Sequence, residues 1–293
     1  MRQSRPPPPR TLRGPVFLRL QPARARRPPR RGRPPDRTAR AAAGKTHLAV
    51  QLMLQCQLPE ARGGVGGSAV YVYTEGKPSR RMSEMARRFA ERERLDWDPM
   101  ARIRVVKGVG TAQELLAAVR QAHSAAGARS ASNAGPPTKI LVVDSVANVF
   151  RDVPDGAGGG QAGAAGGVQA GAMGERSSSM FEVALALKKL AAAHGLAVVT
   201  TNQVTDYVED FASLNQGGGA GALVTSGRRV NPALGLAWAS CVNHRVFVSR
   251  DTSGQARAGG ETVGRRMRVV FSPFMGCAEV QYVVNDDGVR AAG

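Results

Sequence analysis

The stretch Ala43-Gly44-Lys45-Thr46 decides the fold of this 293-residue chain. It opens an apolar-periodic run, Ala43 to Leu58, that predicts a helix. Backbone N–H groups and the helix dipole at such a start face phosphates, a lysine reaches the outer phosphates, and a threonine hydroxyl takes Mg²⁺. The tetrapeptide therefore predicts a phosphate-binding loop. Because Gly-Lys-Thr also occurs by chance before ordinary amphipathic helices, the loop needs support from elsewhere in the chain.

Two acidic residues further along the chain follow strand-like runs. Asp144 ends Lys139 to Asp144 (KILVVD), where a Mg²⁺-binding carboxylate would lie, although an acid at a strand end is often a helix cap. Glu75 follows Ala69 to Thr74 (AVYVYT), where a carboxylate can orient and deprotonate the water that attacks a γ-phosphate. The alternative for Glu75 is a solvated strand-end charge.

From residue 41 onwards, helical and strand-like patterns alternate, which is typical of a parallel sheet covered by helices. A capping box, Thr111 with Glu114, marks one helix start. The other predicted helices are Ala43 to Leu58, Arg80 to Leu95 and Ser178 to His194, and the other predicted strands are Ile103 to Val106, Leu196 to Thr201, Cys241 to Ser249, Arg266 to Ser272 and Glu279 to Val284.

The first 40 residues differ sharply in composition from the rest. They hold 13 arginines, 10 of the 18 prolines and one acid, Asp36, so that they contribute +12 of the net charge of +19. Prolines at this density prevent a regular helix or a sheet interior through most of the segment. We therefore expect residues 1–40 to be a disordered basic segment and residues 41–293 to be the folded core.

The rest of the composition argues against a membrane-spanning protein and against a cysteine-based metal site. No stretch approaches the roughly 20 consecutive apolar residues of a membrane span, so we expect no membrane partner. The three cysteines, Cys56, Cys241 and Cys277, lie far apart and indicate reduced thiols rather than a metal site. The arginine-rich start leaves an organelle transit peptide as an alternative, although Ser4 is its only serine.

Four motifs in order resemble the RecA/Rad recombinase family across residues 41–290. They are Gly-Lys-Thr at 44–46, Thr-Glu-Gly at 74–76, Ile-Leu-Val-Val-Asp-Ser at 140–145 and Thr-Thr-Asn-Gln-Val at 200–204. The resemblance implies an α/β fold, a RecA-like P-loop ATPase core with a mainly parallel sheet flanked by helices. It implies ATP and Mg²⁺ as cofactors, Glu75 as the catalytic carboxylate and Gln203 as the sensor that links the γ-phosphate to DNA-binding loops. It also implies that Thr46 and Asp144 bind the metal. The predicted ATP-binding residues are Ala41, Ala42, Ala43, Gly44, Lys45, Thr46 and His47.

The resemblance also places two DNA-contacting loops, at about residues 151–176 and 205–229. Both are glycine-rich and are flanked by Arg151, Arg176, Arg228 and Arg229, which suit phosphate contacts on single-stranded DNA. Neither offers many aromatic residues for base stacking. The alternative for the glycine tracts is a pair of disordered surface insertions.

Within the family, three stretches resemble a eukaryotic recombinase paralogue. They are residues 41–46, residues 144–147 leading to Phe150-Arg151, and residues 229–235 leading to Trp238-Ala239. This resemblance implies homologous recombination and double-strand break repair in the nucleus, on single-stranded DNA and recombination intermediates, with another recombinase paralogue as partner subunit.

Two classes of function stay open, a DNA-dependent ATPase and a scaffold subunit that does not hydrolyse ATP. A third class, a replicative helicase core, is disfavoured by the match at residues 232–238.

The chain also departs from the family pattern. Ala39 replaces the glycine expected five residues before Gly44, and residues 31–38 (RGRPPDRT) cannot form the central strand that should feed the loop. The family's N-terminal helical module and linker strand have no counterpart. We therefore expect residues 1–40 not to be the original start, and the central slot of the sheet to be empty. Such a chain would be aggregation-prone and would bind ATP poorly, and grafting a family-like strand would rescue both.

Overall fold

The computed structural model describes residues 17–22, 43–75, 80–132, 135–150, 166–206, 223–225, 228–250, 264–286 and 288–292. Within these ranges, strands form one nine-stranded and one three-stranded sheet. The strands are β1 (Phe17–Pro22), β2 (Ser68–Tyr73), β3 (Ile103–Val106), β4 (Thr138–Asp144), β5 (Ala197–Thr201), β6 (Val204–Asp206), β7 (Leu223–Thr225), β8 (Arg228–Pro232), β9 (His244–Arg250), β10 (Arg265–Phe271), β11 (Glu279–Asn285) and β12 (Gly288–Ala291).

The large sheet has the order β12-β11-β10-β9-β1-β5-β4-β2-β3. The six strands from β9 to β3 in this order are parallel, and β10, β11 and β12 continue the sheet in antiparallel fashion. The small sheet, β6-β8-β7, is antiparallel. The parallel strands share one carboxyl edge, which is where open α/β sheets bind ligands.

Helices flank the large sheet, as the alternating sequence pattern predicts. They are α1 (Lys45–Gln55), α2 (Arg80–Glu93), α3 (Ala112–Ser132), α4 (Val146–Val149), α5 (Gly166–His194) and α6 (Gly235–Cys241), with 3₁₀ turns at Glu60–Arg62 and Pro99–Arg102. The capping box forms at α3, because the Glu114 carboxylate accepts the Thr111 N–H at 2.9 Å and the Thr111 hydroxyl accepts the Glu114 N–H at 3.2 Å. No helix in the described part of the chain is long and apolar enough to span a bilayer.

Alternating residues of the central strands contribute to two hydrophobic cores, one on each face of the large sheet. Leu141 and Val143 of β4 pack with α3 and α5 on one face, where Leu115 and Leu187 are fully buried. Ile140 and Val142 point the other way. There they pack with α1 and α2, including the buried side chains Met53 and Phe89. Both faces of the strand are thus apolar, as a parallel sheet covered on two sides requires, and the predicted fold class is confirmed.

The expectation of an empty central slot is wrong. Strand β1 lies between β5 and β9 and pairs in parallel with both, Leu18 with Val199 and His244 among them. Its sequence, FLRLQP, is apolar at three of six positions, and its one proline is the last residue. The central strand was expected immediately before the phosphate loop. Instead, 20 residues separate the end of β1 from Ala43.

The rest of the predicted disordered segment, residues 1–16 and 23–40, lies outside the described residues. The boundary at residue 40 stays a prediction.

Three further boundaries differ from the sequence prediction. Helix α5 begins at Gly166 rather than near Ser178, so it includes part of a glycine-rich stretch. Cys241 ends helix α6 instead of opening a strand, because the segment GLAWASC buries Trp238 against the core on one helical face. The described parts of the predicted second loop form β6, β7 and the start of β8. At α6 the packing of Trp238 outweighs the local sequence preference.

Candidate nucleotide-binding site

The predicted phosphate loop enters α1 at the carboxyl edge of the large sheet. Gly44 has φ +90°, a left-handed conformation that favours glycine, and its carbonyl accepts the Leu48 N–H at 2.9 Å as the first helical bond. The hydroxyl of Tyr282 on β11 donates to the Ala43 carbonyl at 2.6 Å. Burial raises the pKa of Tyr282 to about 12, so the hydroxyl remains a donor at neutral pH. The loop is therefore anchored from β11. The predicted residues Ala41 and Ala42 lie outside the described residues.

The two predicted metal ligands come together. The Thr46 hydroxyl, on the first turn of α1, donates to Asp144 Oδ2 at 2.7 Å. Asp144 also accepts hydrogen bonds from the Tyr71 hydroxyl at 3.1 Å and from the Thr201 hydroxyl. A carboxylate beside a hydroxyl is the oxygen donor set that Mg²⁺ prefers when phosphate oxygens and waters complete its shell. These residues therefore fit a nucleotide-bound Mg²⁺. The described residues contain no cluster of three His, Cys, Asp or Glu side chains that would hold a metal without a nucleotide.

Lys45 lies at the same helix start and points towards the end of β5. Its Nζ donates to the Asn202 carbonyl at 3.4 Å, and the side chain is half-buried. This distance is at the long limit for a hydrogen bond, so the ammonium can exchange the carbonyl for a phosphate oxygen at little cost. Lys45 is thus placed where the outer phosphates of a nucleotide would lie.

The predicted catalytic carboxylate and the predicted sensor amide are direct partners. Gln203 Nε2 donates to Glu75 Oε1 at 2.6 Å, although the two residues are 128 positions apart. Asn202 holds the backbone of Gln203, because its Oδ1 accepts the Gln203 N–H at 2.9 Å. Glu75 is exposed and follows β2, while Gln203 follows β5, so both lie at the carboxyl edge beside Asp144.

A second network, which the sequence argument missed, ties the ends of β2 and β4 together. The Thr74 hydroxyl accepts the Ser145 N–H at 3.0 Å and donates to the Ser145 carbonyl at 2.7 Å. The Asn148 amide, on α4, donates to the Thr74 carbonyl at 2.7 Å. These bonds fix the residues directly before Glu75 and directly after Asp144. The signal in the sequence was the polar pair at the end of each of two neighbouring parallel strands, Thr74-Glu75 after β2 and Asp144-Ser145 at the end of β4.

His47 follows Thr46 on α1 and is held in its neutral form. Burial, followed by the charges of Arg81 and Arg265, lowers the pKa of His47 to about 4. The two cations that add to the effect of burial come from different elements, Arg81 from α2 and Arg265 from β10. An anion is the natural ligand of such a site.

The predicted DNA-contacting arginines receive less support from the geometry. Arg151 lies outside the described residues. Arg176 lies within helix α5 rather than in a loop, and burial lowers the pKa of its guanidinium. Arg228 and Arg229 open β8 of the small sheet. Their role in DNA binding stays a prediction.

Comparison with known proteins gives one consistent family. The Rad51 family model matches residues 39–292. The DNA repair protein XRCC3 homolog of Arabidopsis thaliana is 32% identical over 272 residues, which cover 86% of this chain and 84% of that protein. DNA repair protein XRCC3 of Bos taurus is 31% identical over 86% of this chain, and that of Mus musculus is 30% identical over 85%. The chain spans about two thirds of the length of these two mammalian relatives.

XRCC3, the X-ray repair cross-complementing protein three, is the paralogue that the three family-like stretches of the sequence resemble. That resemblance is confirmed by the 30–32% identity to XRCC3 proteins over most of the chain. The match of the Rad51 model begins just before the phosphate loop and includes every strand of both sheets except β1. Sequence, fold and site geometry agree, and the chain belongs to the Rad51 family.

Proposed function

We propose that this chain binds MgATP at the carboxyl edge of its sheet and acts in recombinational DNA repair as a Rad51-family paralogue. The observation that carries the proposal is the 2.7 Å contact between the Thr46 hydroxyl and the Asp144 carboxylate, at a helix start that also bears Lys45. Proteins of the Rad51 and RecA family bind ATP with Mg²⁺. The residues that would hold both are present and adjacent.

Each residue has a defined task in this proposal. Lys45 would exchange the Asn202 carbonyl for the outer phosphates, and Thr46 and Asp144 would hold Mg²⁺, which would neutralise phosphate charge. Glu75 accepts the proton of the attacking water, and Gln203, bonded to it at 2.6 Å, changes partner when a γ-phosphate arrives. Because Gln203 leads into β6 and the small sheet, that change is passed towards the predicted DNA-contacting segment.

The hydrogen bond between Gln203 and Glu75 supports a second candidate, a subunit that binds ATP without hydrolysing it. An amide that donates to the Glu75 carboxylate occupies one of the acceptor sites through which that carboxylate would take a proton from water. In that case nucleotide binding would stabilise a surface for another recombinase paralogue, and turnover would be dispensable. Both candidates place the protein in the nucleus, on single-stranded DNA and recombination intermediates. The relatives are named as DNA repair proteins, which supports this setting.

Replacement of Lys45 by alanine tests the ATP site. We expect Lys45→Ala to weaken MgATP binding at least about 10-fold, because a charge-assisted bond to phosphate contributes roughly 1.5–3 kcal/mol. Lys189→Ala, which removes an exposed lysine on α5, is the matched control and should leave the affinity unchanged. Equal affinity in wild type and Lys45→Ala would contradict the assignment. Capture of a paralogue partner that survives Lys45→Ala would favour the non-hydrolysing candidate.

A further inference from the structure

Two arginines stand directly opposite each other on neighbouring strands at the carboxyl edge. Arg250, the last residue of β9, pairs with Arg265, the first residue of β10, and Arg265 pairs in turn with Tyr282 of β11. Directly opposed residues of an antiparallel pair project from the same face, so the two guanidinium groups are neighbours. Like charges in this arrangement repel, and an anion between or beside them relieves the repulsion.

This face of the sheet contacts the phosphate loop. The Cδ and Nε atoms of Arg265 lie 3.8 Å from the position that a Cβ on Gly44 would occupy. Tyr282, the cross-strand neighbour of Arg265, donates to the Ala43 carbonyl at 2.6 Å. The stem of Arg265 therefore rests on the loop itself, and its guanidinium lies at the side of the loop nearest to β10.

Further polar groups converge on the same place from the helices. His47 on α1 has an Nε2 atom that is buried and has no hydrogen-bond partner within the described residues. Arg81 on α2 lies near Arg265: burial first, and then the charges of Arg250 and Arg81, lower the pKa of the Arg265 guanidinium. Asp286 supplies one counter-charge, 3.9 Å from Arg81. The cluster of Arg81, Arg250 and Arg265 thus carries three positive charges at one end of the phosphate loop.

The position of the arginines relative to Lys45 indicates what they bind. Lys45 and Thr46 face the ends of β5 and β4, where the outer phosphates and Mg²⁺ are proposed to lie. Arg265 reaches the loop from β10, three strands away from β5 in the sheet order. A nucleotide that followed the loop with its γ-phosphate at β4 and β5 would have its nucleoside end towards β9 and β10.

We propose that Arg250 and Arg265 form a second anion subsite, which binds the phosphate nearest the nucleoside and is used equally by ATP and ADP. This inference rests on the proposed function, because it names the residues that bind the nucleoside end of the same nucleotide. It separates two tasks within one site. Lys45 distinguishes a triphosphate from a diphosphate, whereas the arginine pair contributes affinity common to both.

Nucleotide binding by single variants tests the subsite. We expect Arg265→Gln and Arg250→Gln to weaken MgATP and ADP binding by about 10-fold each, with the ratio of the two affinities unchanged. Lys45→Ala should weaken MgATP more than ADP. Arg266→Gln is the matched control, because Arg266 is the next residue of β10, points to the other face and pairs with Glu279 at 3.4 Å. Arg265→Lys, which keeps the charge, should retain most of the affinity.

The melting temperature of the nucleotide-free protein is a second measurement. It should rise in a variant whose affinity for ADP falls. Because the opposed arginines repel, Arg250→Gln should raise the melting temperature of the free protein by about 1–3 °C while it weakens ADP binding. Unchanged ADP affinity in both glutamine variants would overturn the subsite, and so would a change in the ATP-to-ADP ratio equal to that of Lys45→Ala.

If the wild type binds neither nucleotide, the proposed function fails. Pyrophosphate then tests the subsite alone. Thermal stabilisation by pyrophosphate of the wild type but not of Arg265→Gln supports it, and no stabilisation of the wild type overturns it.

Discussion

Replacement of Gly44 by alanine probes the anchoring of the phosphate loop. Two costs apply at this position. The backbone has φ +90°, and a left-handed conformation costs a residue with a Cβ about 1–2 kcal/mol. The new Cβ would also lie 3.0 Å from Cγ2 of Val284, a buried side chain that is only 7% exposed. Overpacking of this kind typically costs a further 1–3 kcal/mol, so we expect a total of roughly 2–5 kcal/mol.

A matched glycine separates the two costs. Gly108 has φ +72°, is exposed, and an added Cβ there would meet nothing within 4 Å. Gly108→Ala should therefore show the backbone cost alone, about 1–2 kcal/mol. The difference between the two variants then measures the contact with Val284.

Urea unfolding of four proteins completes the assay: wild type, Gly44→Ala, Val284→Ala and the double variant. We expect the double variant to be more stable than the sum of the single changes by about 1 kcal/mol, because Val284→Ala removes the atom that the new Cβ would meet. An additive double variant, or a Gly44→Ala variant that loses no more stability than Gly108→Ala, would refute the reasoning.

Three further predictions concern catalysis, pH dependence and the central strand. Glu75→Gln should keep MgATP binding but slow hydrolysis, because an amide preserves the shape without accepting a proton; an unchanged single-turnover rate would show that Glu75 is only a strand-end charge. The pKa of His47 is lowered from 6.5 to about 4 in the folded protein, so its contribution to stability is present above pH 6.5 and is lost as the pH falls towards 4. The melting temperature should therefore fall less between pH 7 and pH 5 in His47→Gln than in the wild type, and parallel curves would contradict this. Leu20→Pro should destabilise the sheet, because residue 20 lies between Thr201 and Val246 on two neighbouring strands and proline lacks the N–H that a ladder needs. The unfolding midpoint in urea measures this effect, and an unchanged midpoint would mean that β1 contributes nothing to stability.

Much of the candidate site could be predicted because its residues occur at the ends of strands. Parallel strands of one sheet end at the same edge, so polar residues that follow separate apolar runs are brought together without knowledge of the loops. Asp144 and Thr46 are 98 positions apart, and Glu75 and Gln203 are 128 apart, yet both pairs form direct hydrogen bonds. The burial of β4 on both faces likewise follows from its continuous apolar run.

Other features depend on pairings that local sequence does not encode. Strand β1 is a short apolar run within an arginine- and proline-rich segment, and only its two neighbours, β5 and β9, identify it as central. The opposition of Arg250 and Arg265 depends on the register between β9 and β10, which a shift of one residue would abolish. Helix α5 extends upstream through glycines that disfavour a helix when taken alone.

The anchoring of the phosphate loop connects the unusual start of the chain with the chemistry at the site. A P-loop that directly follows its strand is positioned by that strand, but here 20 residues separate Pro22 from Ala43. The loop must then be fixed by contacts from elsewhere. The structure shows them on both sides: Tyr282 holds the Ala43 carbonyl from β11, and Asp144 holds the Thr46 hydroxyl from β4. The two anchors hold Ala43 and Thr46, so the start of α1 is fixed by two strands that are not its neighbours in the sequence.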